Sequence, residues 1–260
     1  MILTVPDYQI YEQPISERIR SFLRLEKLFN QFAFHLQQGS TWDHPIAIQS
    51  ISDLLAFTTR SDIKLEALKE IERQHIKLER LSKRPQVDHE QLDTLLTKQT
   101  DIISQLQSSS GQLGQELQSI ELLATIRQKS SVPGCICDFD LPAYQHWLAL
   151  PEIERKQHLV KWYEPFTVLE DAVRIILDVL RQSSVDIEET AASGFFQKSL
   201  GANQAIQLLR IHVEDNKKYF PEISAGKHRF SVRFLTNINP QQRPEQCKDD
   251  IKFNLSMCNI

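Results

Sequence analysis

The chain has 260 residues, of which 41% are hydrophobic and 25% charged, values typical of a globular protein. Its 30 Lys and Arg residues against 34 Asp and Glu residues give a net charge of −4, which exerts no overall attraction on nucleic acid or anionic lipid. No apolar run approaches the ~18 residues of a membrane-spanning helix, and the amino terminus lacks the features of a secretory signal. Four cysteines without a regular framework favour a reducing compartment. These features predict a soluble cytoplasmic protein.

The glycine content disfavours the usual nucleotide-binding enzymes. Phosphate-cradling loops need glycine for a positive φ and for close approach of the backbone to the phosphate. The chain has only seven glycines, and it contains neither G-x-G-x-x-G nor G-x-x-x-x-G-K-[ST] nor G-x-S-x-G. A nucleotide-binding enzyme of the usual kinds is therefore not expected.

The amino-terminal part predicts a short strand and then a helix with two different faces. YQIYEQP alternates with period two and ends at Pro14, which is typical of a strand. From Ile15 the period becomes helical, with one apolar arc formed by Ile15, Ile19, Phe22, Phe29 and Ala33. A basic stripe made of Arg20, Arg24 and Lys27 lies opposite this arc. Such a stripe is usually a solvated face, but three consecutive turns that show only cations favour a recognition surface.

The next part predicts further helices and a long antiparallel hairpin. A helix is expected over residues 46–58, and Asp62 and Asp88 can cap two helices on either side of a break at Pro85. Apolar residues at spacings of three and four on both sides predict a hairpin from Ile63 to Leu106. A helix over about 114–128 carries Arg127 at its end. Two more helices are predicted to start at Pro151 and Pro165.

After Ser183 the pattern changes to strands. LLRIHVED, HRFSVRFLT and DDIKFNLSM each alternate with period two between Pro and Gly signals. Helices first and strands last predict an α+β fold with segregated layers. We expect a mainly helical domain at 15–183 and an antiparallel β domain from 1–14 and 184–260. The amino-terminal strand would join the carboxy-terminal sheet, and residues 133–140 would lie at the junction.

The stretch PGCICDFDLPAYQHWL at 133–148 combines residue types found in metal sites and in reactive-thiol sites. Cys135 and Cys137 are two residues apart, whereas tetrahedral zinc usually takes C-x₂₋₄-C, and no group is placed to orient His146 as a base. A structural interpretation is simpler. Asp140 can cap a helix that begins near Pro142, with the flanking aromatic and leucine side chains buried together. We therefore expect no metal site and no catalytic residue here.

Several segments together resemble the ZapD family of bacterial cell division proteins. They are ISERIRSFLRLEKLF near the start, SVPGCICDFDLPAYQHWL in the middle, and FFQKSL and YFPEISAGKHRFSVRFL toward the end. The resemblance covers most of the chain, and the Phe-Asp-Leu-Pro corner and the K-x-R-F-x-x-R-F hairpin make it specific. The C-x-C pair is not part of the family pattern.

The resemblance implies a function in cell division without catalysis or a cofactor. Proteins of this family are homodimers that bind the carboxy-terminal tail of FtsZ, cross-link FtsZ protofilaments into bundles and lower FtsZ GTPase activity. The chain would then be cytoplasmic and recruited to the division site at mid-cell, with no membrane insertion and no nucleic acid partner.

A second basic surface follows from strand alternation. With the apolar side chains turned inward, the outward positions carry Lys227, Arg229 and Arg233 on one strand, Arg210 and His212 on another, and Lys252 on a third. None of these positions is acidic, although solubility and edge protection also explain basic strands. Arginine grips carboxylates bidentately, which suits an acidic peptide with a terminal carboxylate. The candidate FtsZ-binding residues are therefore Arg20, Arg24, Lys27, Arg127, Arg210, His212, Lys227, Arg229 and Arg233.

Nucleic acid is the competing explanation for a basic face. Few exposed aromatic residues are interleaved with the cations, and no recognised nucleic-acid-binding module is present. A steep dependence of DNA binding on salt concentration would favour this alternative.

Overall fold

A computed structural model describes residues 8–60, 62–82, 88–109, 111–129, 139–201, 205–214, 218–226, 228–236 and 241–260. The described part has an α+β fold, as the sequence predicted. Its α-helices are α1 (Glu17–Gln38), α2 (Asp43–Arg60), α3 (Ile63–Leu81), α4 (His89–Ser108), α5 (Glu121–Lys129), α6 (Pro142–Leu148), α7 (Glu152–Tyr163) and α8 (Thr167–Gln182). Short 3-10 helices precede α5 at Gln115–Ser119 and α8 at Glu164–Phe166. None of the helices in these ranges is long and apolar enough to cross a lipid bilayer.

The strands form two antiparallel sheets. They are β1 (Tyr8–Pro14), β2 (Ile187–Ala191), β3 (Phe195–Ser199), β4 (Leu208–Glu214), β5 (Tyr219–Ala225), β6 (Arg229–Thr236), β7 (Glu245–Gln246) and β8 (Ile251–Cys258). Sheet A has the order β1-β4-β8-β2, and sheet B has the order β3-β6-β5 with β7 paired to β6. The amino-terminal strand β1 pairs with β4, so the two ends of the chain contribute to one sheet.

The two sheets pack face to face around one apolar core. The predicted inward positions of β4, β6 and β8 are all buried, because period-two alternation places every second side chain on the same face. The ring centroid of Phe253 in sheet A lies 5.3 Å from that of Phe234 and 5.3 Å from that of Phe196, both in sheet B. Each sheet therefore turns its second face away from this core.

The chain passes from sheet A to sheet B through the tight turn between β2 and β3. Gly194 has φ +71°, a backbone conformation that residues with a Cβ rarely adopt. A Cβ at this position would also lie 2.5 Å from the carbonyl oxygen of Cys247. Glycine is therefore required both by the backbone conformation and by the close approach of the neighbouring chain.

The helical part is organised around α2, which is buried along most of its length and packs against α3, α5 and α7. On α1 the buried side chains include the predicted Ile19, Phe22 and Phe29. Leu25 and Phe32 are also buried, whereas Ala33 is only half-buried. The apolar arc of α1 is therefore shifted from the predicted one, because Phe32 stacks on Tyr163 with ring centroids 3.9 Å apart.

The predicted hairpin is formed by α3 and α4, and both predicted caps are present. The backbone N–H of Leu65 donates to Asp62 at 3.3 Å, and that of Gln91 donates to Asp88 at 3.1 Å. These side chains satisfy amide groups that have no partner inside the first turn of a helix. In the described residues, α4 packs mainly on α3.

The chain divides into two compact units. One comprises residues 1–21 and 177–260, and the other comprises residues 22–176. The division crosses α1 after Ser21 and α8 after Ile176, so each of these helices contributes to both units.

Candidate partner-binding surfaces

The outer face of sheet B, called here the Arg229 face, carries two of the predicted binding residues in exposed positions. Arg229 and Arg233 are four residues apart on β6, and both point away from the apolar core. Arg233 lies between Phe195 on β3 and Glu222 on β5 in the strand register. Within the described residues no ion pair involves Arg229 or Arg233. Lys227 lies outside the described residues.

A depression of about 300 Å³ adjoins Arg229 on this face. Its lining is composed mainly of small or uncharged polar residues on three neighbouring strands: Gln197, Ser224, Ala225, Gly226, Arg229, Phe230 and Ser231. Hydroxyl and amide groups there can donate hydrogen bonds, and the guanidinium supplies a positive charge. The arrangement is suited to an anionic, hydrogen-bonding group such as a carboxylate.

The outer face of sheet A has a different electrostatic character, because the predicted cation Arg210 forms an ion pair with an acid. Glu12 on β1 lies directly opposite Arg210 on β4, and Arg210 Nε donates to Glu12 Oε1 at 3.0 Å. Arg181 at the end of α8 donates two hydrogen bonds of 2.9 Å to the same carboxylate. Burial alone raises the pKa of Glu12, but the hydrogen bonds and charges of Arg181 and Arg210 hold it below its ordinary value. Arg210 is thus paired inside the chain.

His212 is also held by neighbouring side chains. Its Nδ1 lies 3.5 Å from Asp186 Oδ2, and its Nε2 lies 3.4 Å from the Ser256 hydroxyl. Burial lowers the pKa of His212, and the charge of Asp186 opposes this effect. Although Ser, His and Asp are the residue types of a hydrolase triad, Ser256 has no exposed surface and its hydroxyl donates to Asp186. Ser256 is therefore not positioned to attack a substrate.

The two basic sets predicted on the strands consequently lie on different faces. The apolar core separates sheet A from sheet B, so Arg210 and His212 face one way while Arg229 and Arg233 face the other. Lys252 on sheet A also has an acidic neighbour, Glu188, at 3.4 Å. The expectation of one surface without acids is wrong, because Glu12, Asp186 and Glu188 come from parts of the chain that the alternation of β4 and β8 does not include.

The basic stripe of α1 is only partly as predicted. Arg24 and Lys27 are exposed, and no ion pair involves either of them in the described ranges. Arg20 is half-buried and pairs with Glu17 at 3.0 Å, one turn earlier on the same helix. Arg127 is exposed on α5, apart from the stripe in sequence.

At Phe139 and Asp140 the structure differs from the helix cap and the buried cluster that were predicted from the sequence. Leu141, not Asp140, is the amino-terminal cap of α6, and Asp140 instead accepts a charge-assisted hydrogen bond from Lys129 at 3.2 Å. Phe139 is 83% exposed and Leu148 is only half-buried, so the predicted burial of these two side chains with Leu141 and Trp147 is confirmed for Leu141 and Trp147 and wrong for the other two. Exposed His146 makes no contribution to a buried site.

The cysteines bear on the metal and thiol hypotheses only in part. Cys135 and Cys137 lie outside the described residues. Cys247 and Cys258 are buried and not disulfide-bonded, and burial raises the pKa of the Cys258 thiol. In the described part of the chain, no group of three or more His, Cys, Asp or Glu side chains could hold a metal ion.

The residues that the sequence reasoning missed on the Arg229 face belong to short strands. Phe195 and Gln197 lie on β3, which has only five residues, and Glu222 lies on β5 next to a proline. Five residues give too few repeats for a period-two pattern to stand out. The available sequence signal was an aromatic residue, Phe195, directly after a Ser-Gly turn, and only the structure shows that its ring is exposed.

Comparisons with known proteins agree on one family. The sequence model for ZapD, described as a cell division protein, matches residues 23–233. The protein named Cell division protein ZapD from Methylococcus capsulatus is 38% identical over 249 residues, covering 96% of this chain and 97% of that protein. Proteins of the same name from Nitrosomonas europaea and Chromobacterium violaceum are 37% and 35% identical, each over 96% of this chain and 95% and 99% of the relative.

Proposed function

Because the chain belongs to the ZapD family of cell division proteins, we propose that it binds the carboxy-terminal tail of FtsZ, bundles FtsZ protofilaments, stabilises assembly of the Z-ring and lowers FtsZ GTPase activity. The family is one of cell division factors and is not a known class of enzymes. The chain acts in cell division, and under this proposal it does so in the cytoplasm at mid-cell as a homodimer.

The contrast between the two outer sheet faces is the observation that supports a binding site on the Arg229 face. On sheet A each candidate basic side chain has an acidic neighbour: Glu12 beside Arg210, Asp186 beside His212 and Glu188 beside Lys252. On sheet B, Arg229 and Arg233 are exposed, and within the described residues neither has an ion-pair partner. An arginine that is not already paired can bind a carboxylate without first breaking an internal contact.

An acidic peptide can be accommodated along β6. Arg229 and Arg233 are about 13 Å apart along an extended strand, a distance spanned by four residues of an extended peptide. The depression beside Arg229 offers hydroxyl and amide donors, while exposed Phe195 beside Arg233 offers apolar contact. Under this proposal, charged side chains of the tail pair with the arginines and an apolar side chain packs on Phe195.

Bundling additionally requires at least two binding sites in one particle, since a monovalent binder cannot cross-link filaments. The hairpin of α3 and α4 is the proposed dimer contact. Four apolar side chains of α4 flank its buried seam and are only half-buried: Leu95, Leu96, Ile102 and Ile103. A second copy would cover surface that the single chain leaves in solvent.

Charge reversal on the two candidate surfaces tests the proposal. Arg229→Glu should weaken binding of a fluorescent FtsZ tail peptide by ~2–4 kcal/mol, about thirty- to a thousandfold, because it removes a charge-assisted hydrogen bond and adds repulsion. Lys252→Glu on sheet A is the matched control, being exposed and already beside an acid, and should leave binding within about twofold.

Arg24→Glu provides the corresponding test of the α1 stripe. A loss of affinity in Arg24→Glu with none in Arg229→Glu would move the site to α1. Unchanged affinity in both variants, with melting temperatures equal to that of the unmodified protein, would refute both surfaces.

A further inference from the structure

A buried arginine on α7, Arg155, joins three parts of the helical unit. Its side chain is only 7% exposed. Nη1 donates to the carbonyl oxygen of Leu148 at 2.6 Å and to that of Leu150 at 2.7 Å, where α6 ends and the connection to α7 begins. Nε donates to Nδ1 of His44, in the first turn of α2, at 2.8 Å. Among the described residues no acid forms an ion pair with Arg155, and these three acceptors are all uncharged.

The hydrogen bond from Arg155 fixes the charge state of His44. A guanidinium can only donate hydrogen bonds, so Nδ1 of His44 must be an unprotonated acceptor and the imidazole proton must be on Nε2. His44 has no exposed surface, and Nε2 has no hydrogen-bond partner among the described residues. A neutral, fully buried imidazole therefore lies next to a permanent cation.

The other charged and titratable groups in the surroundings of His44 do not offset that cation. They are His35 on α1, Asp43 on α2, Tyr144 on α6, and Glu152, Lys156 and His158 on α7. Burial lowers the pKa of His44, as do the charges of Arg155 and Lys156, whereas Glu152 and Asp43 oppose this effect. Both carboxylates are already engaged, Glu152 with Lys156 at 2.7 Å and Asp43 with His35 at 2.7 Å.

The connection between α1 and α2 packs directly on α7 beside this pair. Gly39 in that connection lies so close to Glu152 and Lys156 that a Cβ there would meet both side chains. Lys156 also donates to the carbonyl oxygen of Gln37, at the end of α1, at 3.3 Å. The α1–α2 corner, defined here as residues 37–44, is thus closed on α7, and its one contact with Arg155 printed by the geometry is that of His44.

We propose that His44 and Arg155 form a latch that keeps the α1–α2 corner closed on α7 at neutral pH and opens it in acid, when His44 takes up a proton. Protonation converts the acceptor Nδ1 into a donor and leaves two cations 2.8 Å apart in a buried site, where their repulsion is weakly screened. The repulsion is relieved when the corner and the first turn of α2 move away from α7 and water reaches both groups. This inference is independent of FtsZ binding.

The uptake of one proton determines how opening depends on pH. In the open form His44 regains the ordinary histidine pKa of about 6.5, whereas in the closed form its pKa is lower. Closure is therefore fully stable above about pH 6.5, and the open population rises about tenfold for each pH unit below that value until the pKa of the closed form is reached.

Hydrogen exchange from about pH 8 to about pH 4.5, corrected for the intrinsic exchange rate at each pH, measures this opening by mass spectrometry. Peptides covering 40–50 and 148–156 should lose protection about tenfold per pH unit below about pH 6.5, whereas peptides of β6 should keep theirs. His44→Asn retains an acceptor but cannot take up a proton, so this loss should be absent. His146→Asn is the matched control, because His146 is exposed on α6, and the loss should remain.

Arg155→Gln tests the same latch without altering the imidazole. Its amide can donate to His44 but carries no charge, so His44 should titrate at a higher pH than in the unmodified protein. Nuclear magnetic resonance of the imidazole Hε1 signals, assigned by through-bond correlation, measures this shift.

The latch is refuted if His44→Asn loses protection in acid as the unmodified protein does, or if His44 titrates at the same pH with and without Arg155. An equal loss of protection in β6 would indicate global unfolding and would also refute it. If circular dichroism shows that His44→Asn does not fold, the titration of His44 in Arg155→Gln decides alone. The measurements with the FtsZ tail peptide test the proposed function separately.

Discussion

At the scale of single residues, Glu12 determines which arginines remain available to a partner. Its carboxylate binds Arg181 and Arg210 at once, and all three side chains are at most 20% exposed. Arg210 and Glu12 are 198 residues apart in sequence. Alternation within β4 correctly predicted that Arg210 points out of the core, but it contains no information on which strand lies next to β4. The pairing partner therefore could not be predicted.

We expect Glu12→Gln to destabilise the protein near pH 7 by about 1–3 kcal/mol, because two largely buried guanidinium groups lose their counter-charge. The lowered pKa of Glu12 fixes the pH dependence. A carboxylate with a lowered folded-state pKa stabilises the fold fully above its unfolded pKa, and this contribution is lost as the pH falls through the folded-state value. The difference between variant and unmodified protein should thus be largest at neutral pH and shrink in acid.

Urea denaturation at intervals between pH 3 and pH 7 measures this difference. Glu222→Gln is the control, because Glu222 is exposed on the Arg229 face and no ion pair involves it in the described residues. A constant difference between Glu12→Gln and the unmodified protein across this pH range would contradict the assigned role of the ion pairs.

At the scale of elements, helix boundaries with a chemical signal were predictable and irregular segments were not. Asp62 and Asp88 were correctly predicted as caps, since a carboxylate before an amphipathic run leaves few alternatives. The single helix expected over about 114–128 is instead a 3-10 helix at Gln115–Ser119 followed by α5. The interruption is at Ile120, whose backbone is extended, and nothing in its side chain indicates this.

Gly114, at the start of that 3-10 helix, offers a test of local packing. It has φ +75°, and a Cβ there would lie 2.7 Å from the ring of Phe166, which is fully buried. Gly111 has a similar φ of +78°, but its nearest neighbour would be 3.5 Å away. Both Ala substitutions incur the left-handed backbone penalty of about 1 kcal/mol, and only Gly114→Ala adds overpacking of about 1–3 kcal/mol.

Thermal and urea unfolding of the two variants should therefore rank Gly111→Ala above Gly114→Ala in stability. Because the backbone penalty is common to both, their difference reports the close contacts of a Cβ at position 114, of which the shortest are with Phe166 and the next is with Leu55 at 3.3 Å. Equal destabilisation of the two variants would show that the ring of Phe166 moves aside without cost.

At the scale of the whole molecule, the order of hydrophobic periods predicted the fold class but not the way the strands pair. Helical periods before Ser183 and period-two alternation after it correctly predicted α+β segregation. The division of the strands into two stacked sheets depends on the short strands β2 and β3 and on the turn at Gly194 between them. Those five-residue segments carry little pattern, so the opposite orientation of the two basic faces became evident only in three dimensions.

Bundling depends on the whole particle, because binding of one tail requires a single site whereas cross-linking of two filaments requires two sites in one particle. The proposed tail site is on the Arg229 face, whereas the proposed dimer contact is on the hairpin, where Ile76 is an exposed apolar residue of α3. Arg229 and Ile76 belong to different compact units. Ile76→Asp should therefore bind a monomeric FtsZ tail peptide with unchanged affinity, within about twofold. It should fail to bundle FtsZ filaments, since a monovalent particle lacks the second attachment that raises avidity by about 10²–10⁴.

Fluorescence anisotropy with the tail peptide and low-speed sedimentation of FtsZ filaments measure the two properties separately. Arg229→Glu should lose both, whereas Ile76→Asp should lose bundling alone. Val160→Asp should lose neither, because Val160 is an exposed apolar residue on α7, outside the hairpin. Fusing two Ile76→Asp chains through a long flexible Gly/Ser linker should restore bundling, because the tether supplies the second site without the hairpin contact. If monomeric Ile76→Asp bundles filaments as well as the unmodified protein does, bundling does not arise from bivalency and each copy must carry two separate sites for FtsZ.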